Sequence, residues 1–194
     1  GPAAKQTIKD ARMKWQRREH PEAFSQYERE MVRIYEAELV KVDVAAFDRA
    51  VEDILGEYRD QVYTYTRDLA ARLKKDGYTL LAISGSQQEV VERVAATYGF
   101  DDVVGNQYER ADGRFTGDSN RANANKKAVL DQLAAKHGLD YAGSIGIGDT
   151  MSDLPILEAV ERPIAFNPER KLFVAARQRG WPVVIERKNV IYKL

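Results

Sequence analysis

Ser144-Ile145-Gly146-Ile147-Gly148-Asp149-Thr150-Met151-Ser152-Asp153 is the stretch whose reading decides the fold. A short apolar run that ends in Gly-Asp, with a second Asp four residues later, reads as a buried strand delivering a carboxylate to its C-terminal end. The second carboxylate then falls in the first turn of the following helix. Gly146 and Gly148 lack a Cβ and let the backbone approach a ligand closely. Carboxylates at i and i+4 can face one cation or one cationic side chain. Hard oxygen ligands of this kind suit Mg²⁺, which takes one or two protein carboxylates and fills the rest of its shell with phosphate and water. The plain alternative is structural: Asp149 caps the helix and Asp153 makes a surface pair. The residues upstream bear on that choice.

Tyr78-Thr79-Leu80-Leu81-Ala82-Ile83 is a second short apolar run, of the kind buried on both faces of a parallel sheet, and it stops at Ser84-Gly85-Ser86. Ser86 and Glu89 have the spacing of a capping box, so a helix is expected from Gln87 to Tyr98, stopped by Gly99. A strand that stops at Ser-Gly and opens a helix presents a hydroxyl and backbone N–H groups, which together suit an anion. Asp112-Gly113 between two polar-apolar runs predicts a hairpin or flap over Val103 to Gly117. Asn125 to His137 reads as a helix with Lys126 and Lys127 in its first turns. Lysines there oppose the helix dipole, so either is placed to meet an anion unless both are ordinary surface residues.

Downstream, a helix over Leu154–Val160, a strand over Pro163–Phe166, a helix over Glu169–Arg179 and a last strand over Pro182–Ile185 complete the alternation. Strands alternating with helices imply right-handed βαβ units and a parallel sheet covered on both faces. Everything from Ala3 to about Val62 reads instead as helix. Its apolar positions recur at three- and four-residue spacing (Phe24, Tyr27, Met31, Ile34, then Phe47, Val51, Ile54, Tyr58), and Pro21 suits the first turn of the second helix. The expected division is a small helical subdomain over 3–62 and an α/β core over 63–194.

Composition excludes several classes. Thirty basic and thirty acidic residues give zero formal charge, so neither nucleic acid nor an anionic membrane is expected as a partner. No run of 18 apolar residues suggests a membrane span. With no cysteine there is no thiolate nucleophile and no Cys-based zinc site, which fits a reducing compartment such as the cytoplasm.

A strand ending in Ser84-Gly85, a lysine at 126, then Gly148-Asp149 and Asp153: in this order and spacing the set resembles motifs two, three and four of the haloacid dehalogenase-like phosphohydrolases. The likeness is to the branch containing phosphoserine phosphatases. It covers about Tyr78 to Ile185, and the helical segment before it resembles that branch's cap. The resemblance implies a three-layer α/β core of Rossmann type with a helical cap, Mg²⁺ as cofactor, and a small phosphorylated metabolite as substrate. It also implies that Ser84 and the Gly85 amide hold phosphoryl oxygens, and that Lys126, preferred to Lys127 by spacing, holds the phosphate and the nucleophile. Asp149 would be a Mg²⁺ ligand, and Asp153 would orient the metal's waters and the neighbouring lysine. Such positioning and charge neutralisation supply most of the catalysis in phosphoryl transfer.

The family's first motif, Asp-x-Asp-x-Thr or Val, carries the nucleophile and the general acid/base, and no Asp-x-Asp occurs in these 194 residues. Asp43-Val44 lies in a helical context and lacks the second carboxylate. A missing N-terminal segment, a shifted reading frame and loss of the strand in evolution are the three explanations. The reading is therefore a Mg²⁺-dependent phosphomonoester hydrolase that is inactive as it stands; the alternatives are a non-catalytic phosphate- and metal-binding protein and one half of a complemented assembly. In the family the nucleophile strand lies between the two strands ending at Ser84 and Asp149. Without it, the expectation is that Leu80–Ile83 and Ile145–Ile147 are bridged by a strand from another copy or collapse onto each other. Trp15, Arg17 and Arg18 have no role that the sequence assigns.

Overall fold

The structure, a computed structural model, describes residues 2–187 and 190–194. Its contacts divide the chain into two units: residues up to Asp53 together with Tyr108–Ser119, and Ile54–Gln107 together with Asn120–Leu194. This differs from the 3–62 and 63–194 division, because the hairpin goes with the helices. No helix among the described residues is long and apolar enough to cross a membrane.

In the first unit lie α1 (Pro2–Gln16), α2 (Ala23–Leu39) and most of α3 (Val44–Tyr58). Glu22 is the N-cap of α2, so Pro21 precedes that helix rather than opening it. Asp43 is a helix cap too: its Oδ1 accepts from the Ala46 amide at 3.1 Å. Trp15 of α1 packs on Phe24 and Tyr27 of α2, with ring centroids 5.1 and 5.2 Å away. That spends the indole on helix–helix packing. The hairpin of β2 (Asp102–Ala111) and β3 (Arg114–Asn120) forms as expected. Both turn residues take positive φ, 50° at Asp112 and 75° at Gly113, the backbone that matches strand twist in a two-residue turn. Leu39, Tyr108 and Phe115 make the core here, with Val44 and Phe47 against them.

The second unit contains α4 (Thr64–Lys75), β1 (Leu81–Gln87), α5 (Gln88–Thr97), the first half of β2, α6 (Lys126–Lys136), β4 (Ile145–Gly148), α7 (Leu154–Ala159), β5 (Arg162–Phe166), α8 (Arg170–Gln178), β6 (Val183–Arg187) and β7 (Val190–Lys193). Its core is Leu157, Ala165, Leu172, Ala176 and Val183, all fully buried. Ala165 faces α7 and α8, while its neighbour Phe166 points to the opposite side of β5 and packs on Tyr63 and Tyr65 at the start of α4. Glu186 of β6 serves as the cap for α4, accepting from the amides of Thr64 and Tyr65, each at 2.9 Å, and from the Thr64 hydroxyl at 2.8 Å.

Three expectations need correction. The strands do not form one parallel sheet. They form two, β1-β2-β3 and β4-β5-β6-β7, and the second ends in an antiparallel pair because β7 turns back on β6. The second correction concerns Ser86, which lies within β1; Gln87 is the N-cap of α5 without a side-chain cap, so the capping box with Glu89 does not form. Finally, Leu80–Ile83 and Ile145–Ile147 have not collapsed onto each other. They flank a cavity of about 670 Å³, whose other walls are apolar side chains of α4, α6 and α7 such as Leu69, Leu73, Leu130 and Ile156. Ahead of the two strands the chain segments are tied together: the Tyr78 hydroxyl donates to the Gly143 carbonyl at 3.4 Å, and the Arg162 guanidinium donates to the Tyr78 hydroxyl at 2.6 Å and to the Gly143 carbonyl at 2.8 Å.

Candidate active site

Ser84-Gly85 lies within β1, and Gly148-Asp149 stands at the end of β4. Ile83 and Ile147, one step before Ser84 and Gly148, line the same cavity as Asp153. At β1 the pairing with β2 slips: Ile83 is opposite Val104, but Gln87 is opposite Asn106. Four steps on β1 therefore match two on β2, and Ser84-Gly85-Ser86 is pushed out as a bulge. Gly85 and Ser86 are exposed, and the Ser86 amide donates to Ser84 Oγ at 3.1 Å.

At β4 the chain leaves the strand through a 3₁₀ turn, Met151–Asp153. Asp153 Oδ2 accepts from the Asp149 amide at 3.0 Å and the Thr150 amide at 3.1 Å, while the Thr150 hydroxyl accepts from the Asp153 backbone in a reciprocal capping box. So the helix cap is Thr150 with Asp153, and Asp149 is left facing outward at the strand end. Gly148 is needed for this turn: a Cβ there would lie 2.8 Å from Asp153 Cγ.

Lys126, at the start of α6, reaches Asp153 Oδ1 with its Nζ at 2.6 Å. Asn125 supplies the N-cap, its side chain accepting from the Ala128 amide. Lys127 turns away, pairing with Asp131 at 2.6 Å and lying over the Tyr141 ring. Of the residues singled out from the sequence, Lys126, Asp149 and Asp153 are thus joined by direct contacts, and Ser84 and Gly85 lie in the bulge of β1.

Burial works to raise the Asp153 carboxyl, but the hydrogen bond and charge of Lys126, with the Thr150 and Asp149 amides, outweigh it and hold the group below its ordinary value. Asp149 goes the other way. Desolvation on its protein side, then the neighbouring Asp153 charge, raise its carboxyl above the ordinary value. A carboxylate kept uneasy in this way favours a cation beside it.

Sequence reasoning missed Gly105-Asn106 and Glu169. The Asn106 side-chain amide donates to the Gly85 carbonyl at 2.7 Å. Glu169 Oε1 accepts from the Met151 amide at 2.8 Å and its own amide donates to the Asp149 carbonyl at 2.7 Å, bracing the turn after β4. Both contacts join residues distant in sequence, and no local pattern announces them.

The family model for haloacid dehalogenase-like hydrolases matches residues 3–158, most of the chain. The chain belongs to that family. Among curated members, it is 34% identical over 142 residues to the "Inhibition of morphological differentiation protein" of Streptomyces azureus, covering 69% of this chain and 51% of the relative. It is 29% identical over 152 residues to a histidinol-phosphatase of Neisseria meningitidis (74% and 67%), and 27% identical over 150 residues to a phosphoserine phosphatase of Mycobacterium tuberculosis (76% and 46%). The chain spans about half the length of most of these relatives. Among solved haloacid dehalogenase-like folds, a phosphoserine phosphatase with a phospho-aspartyl intermediate analogue aligns with a TM-score of 0.63 at 19% identity, over 94% of this chain and 81% of that one. A Bordetella pertussis protein of unknown function aligns with a TM-score of 0.70 at 24% identity (92% and 80%).

Proposed function

We propose that this chain supplies the phosphate- and Mg²⁺-binding part of a phosphomonoester hydrolase that works through an aspartyl-phosphate. The observation that carries the reading is Lys126 held on Asp153 beside Asp149 at the end of β4, with Asp153 lining the same apolar cavity as Ile83, the residue before Ser84-Gly85. In this reading Ser84 Oγ and the Gly85 amide hold phosphoryl oxygens, and Lys126 neutralises charge on the transferring group. Asp153 keeps that lysine in place. The relatives' names, a histidinol-phosphatase and a phosphoserine phosphatase, favour a small phosphorylated metabolite.

Asp149 is the residue that would hold Mg²⁺. Its outward-facing carboxyl, raised by desolvation and then by the Asp153 charge, suits a divalent cation, but among the described residues no group of three or more His, Cys, Asp and Glu side chains is arranged around one point. The metal would complete its shell with phosphate, water and an incoming carboxylate. Bound there, it would polarise the phosphoryl oxygens.

The 194 residues contain no Asp-x-Asp, so the chain alone has no carboxylate nucleophile and does not turn over. In this reading an apolar strand enters the cavity between Leu80–Ile83 and Ile145–Ile147 and supplies backbone groups to both edges. With a strand there, from a second copy or from a segment outside these residues, the two sheets become one, covered on both faces. The test uses the full chain, p-nitrophenyl phosphate and Mg²⁺, with and without a peptide of five or six apolar residues ending in Asp-x-Asp-x-Thr. The expected result is no turnover alone, Mg²⁺-dependent turnover with the peptide, and its loss in Asp149→Asn. Turnover by the chain alone, removed by Asp149→Asn, would overturn the proposed division of labour; no turnover with bound peptide would favour a binding protein.

A further inference from the structure

The bulge that carries Ser84 does not hold its own shape. Between Ile83 and Gln87 β1 leaves its ladder with β2, and what meets the outward turn is Gly105-Asn106 on the neighbouring strand. Asn106 is 5% exposed, a side-chain amide inside a strand where an apolar residue would pack as well. Its Nδ2 donates to the Gly85 carbonyl at 2.7 Å. Only the NH₂ end of an amide can donate to a carbonyl, so the orientation of Asn106 is set by this bond.

Across a trans peptide the C=O and N–H point in opposite directions. Fixing the Gly85 carbonyl toward β2 therefore aims the Ser86 N–H the other way, and there it meets Ser84 Oγ at 3.1 Å. Ser84 Oγ thus accepts a bond from the backbone, and its own proton remains available to an acceptor outside the turn. Gly105 permits the approach: a Cβ on it would lie 2.8 Å from the Ser86 carbonyl oxygen and 2.9 Å from Gln88 Cα, both backbone atoms that cannot step aside.

Resting on the phosphate-binding reading of Ser84, we propose that Asn106 is a positioning residue for that site: through the Gly85–Ser86 peptide it orients the Ser84 hydroxyl as a donor to a phosphoryl oxygen. It touches no ligand itself. An asparagine that only stabilised the bulge would add to stability and leave the Ser84 contribution to binding intact.

The experiment measures binding of inorganic phosphate, with Mg²⁺ present, to the full chain by calorimetry. The proteins are wild type, Ser84→Ala, Asn106→Ala, Asn106→Asp, Lys126→Gln, the Ser84→Ala/Asn106→Ala double variant and Lys126→Gln/Asn106→Ala. Asn106→Asp keeps the side-chain volume but removes the donor, so it carries the test if Asn106→Ala does not fold. The expected result is that Ser84→Ala and either Asn106 variant each weaken phosphate binding about tenfold, the worth of one good hydrogen bond. The Ser84/Asn106 double variant should bind no worse than the weaker single, whereas the Lys126 and Asn106 losses multiply. Phosphate binding unchanged in the Asn106 variants, or losses that multiply in the Ser84/Asn106 pair, would overturn the proposal. Wild-type protein that binds no phosphate would remove the underlying reading and this inference with it, and that failure is recognised without any substitution.

Discussion

Lys126 Nζ lies 2.6 Å from Asp153 Oδ1, and the two side chains are only 10% and 9% exposed. Removing one partner strands the other's charge in a poorly solvated place. Lys126→Ala is expected to cost about 3 kcal/mol of folding stability, the usual scale for breaking a buried pair from one side. Lys126→Met with Asp153→Asn, which removes both charges and keeps an oxygen for the Asp149 and Thr150 amides, should recover much of that loss. Urea unfolding of the three proteins decides it, and a Lys126→Ala protein as stable as wild type would refute the argument.

Gly148→Ala should damage the same pair from the other side. Its new methyl group would press on Asp153 Cγ at 2.8 Å, so the carboxylate must move off Lys126 and off the Asp149 and Thr150 amides. A destabilisation of about 1–3 kcal/mol is expected, with weaker phosphate binding. At Gly146 the obstacle is the methyl groups of Val160, 2.8 and 3.2 Å away. Gly146→Ala should lower the melting temperature and leave phosphate affinity unchanged.

Asp102 accepts from Lys136 Nζ at 2.6 Å and sits 2.7 Å from His137 Nε2. The Lys136 hydrogen bond first, then that of His137, bring its carboxyl down to about 2 from 3.8. A lowered carboxyl pKa contributes stability above the unfolded value, and that contribution fades as pH falls from 3.8 through about 2. Discounted for solvent screening, Asp102→Asn should cost about 1 kcal/mol at neutral pH. The difference from wild type should vanish near the acid end of that window. Chemical denaturation at a series of pH values would show a constant gap if the reasoning is wrong.

Metal binding by the chain alone should be weak. Asp149 offers one carboxylate, and Asp153 is already engaged by Lys126 and two amides. Bound Mn²⁺ should therefore keep most of its water, which relaxation of the water protons reports, and Asp149→Asn should abolish the effect. A crystal with Mn²⁺ in a shell made wholly of protein oxygens would contradict this.

The elements that sequence disclosed are those whose signal is local. Asp112-Gly113 announces its turn because both residues tolerate positive φ, and Ile145–Gly148 announces a strand because its neighbours are turn formers. Lys126 and Lys127 are indistinguishable in local pattern, yet the first pairs with Asp153 and the second with Asp131. What stayed hidden depends on contacts between distant positions. Val190–Lys193 is exposed along its whole length and shows no buried alternation, so nothing marks it as a strand until β6 is beside it. Ser86 and Glu89 have the spacing of a capping box, yet β2 draws Ser86 into the bulge instead. The Asn106 and Glu169 contacts are invisible for the same reason.

Glu186 caps α4 from a strand 122 positions further along the chain. During synthesis the chain leaves the ribosome from its N-terminus, so α4 is made long before the carboxylate that satisfies its first amides exists. Contacts of such sequence separation are closed late and slow folding. The second unit is thus expected to reach its native state only after β6 has emerged, and a nascent chain stopped at Trp181 would expose an α4 whose first turn is uncapped.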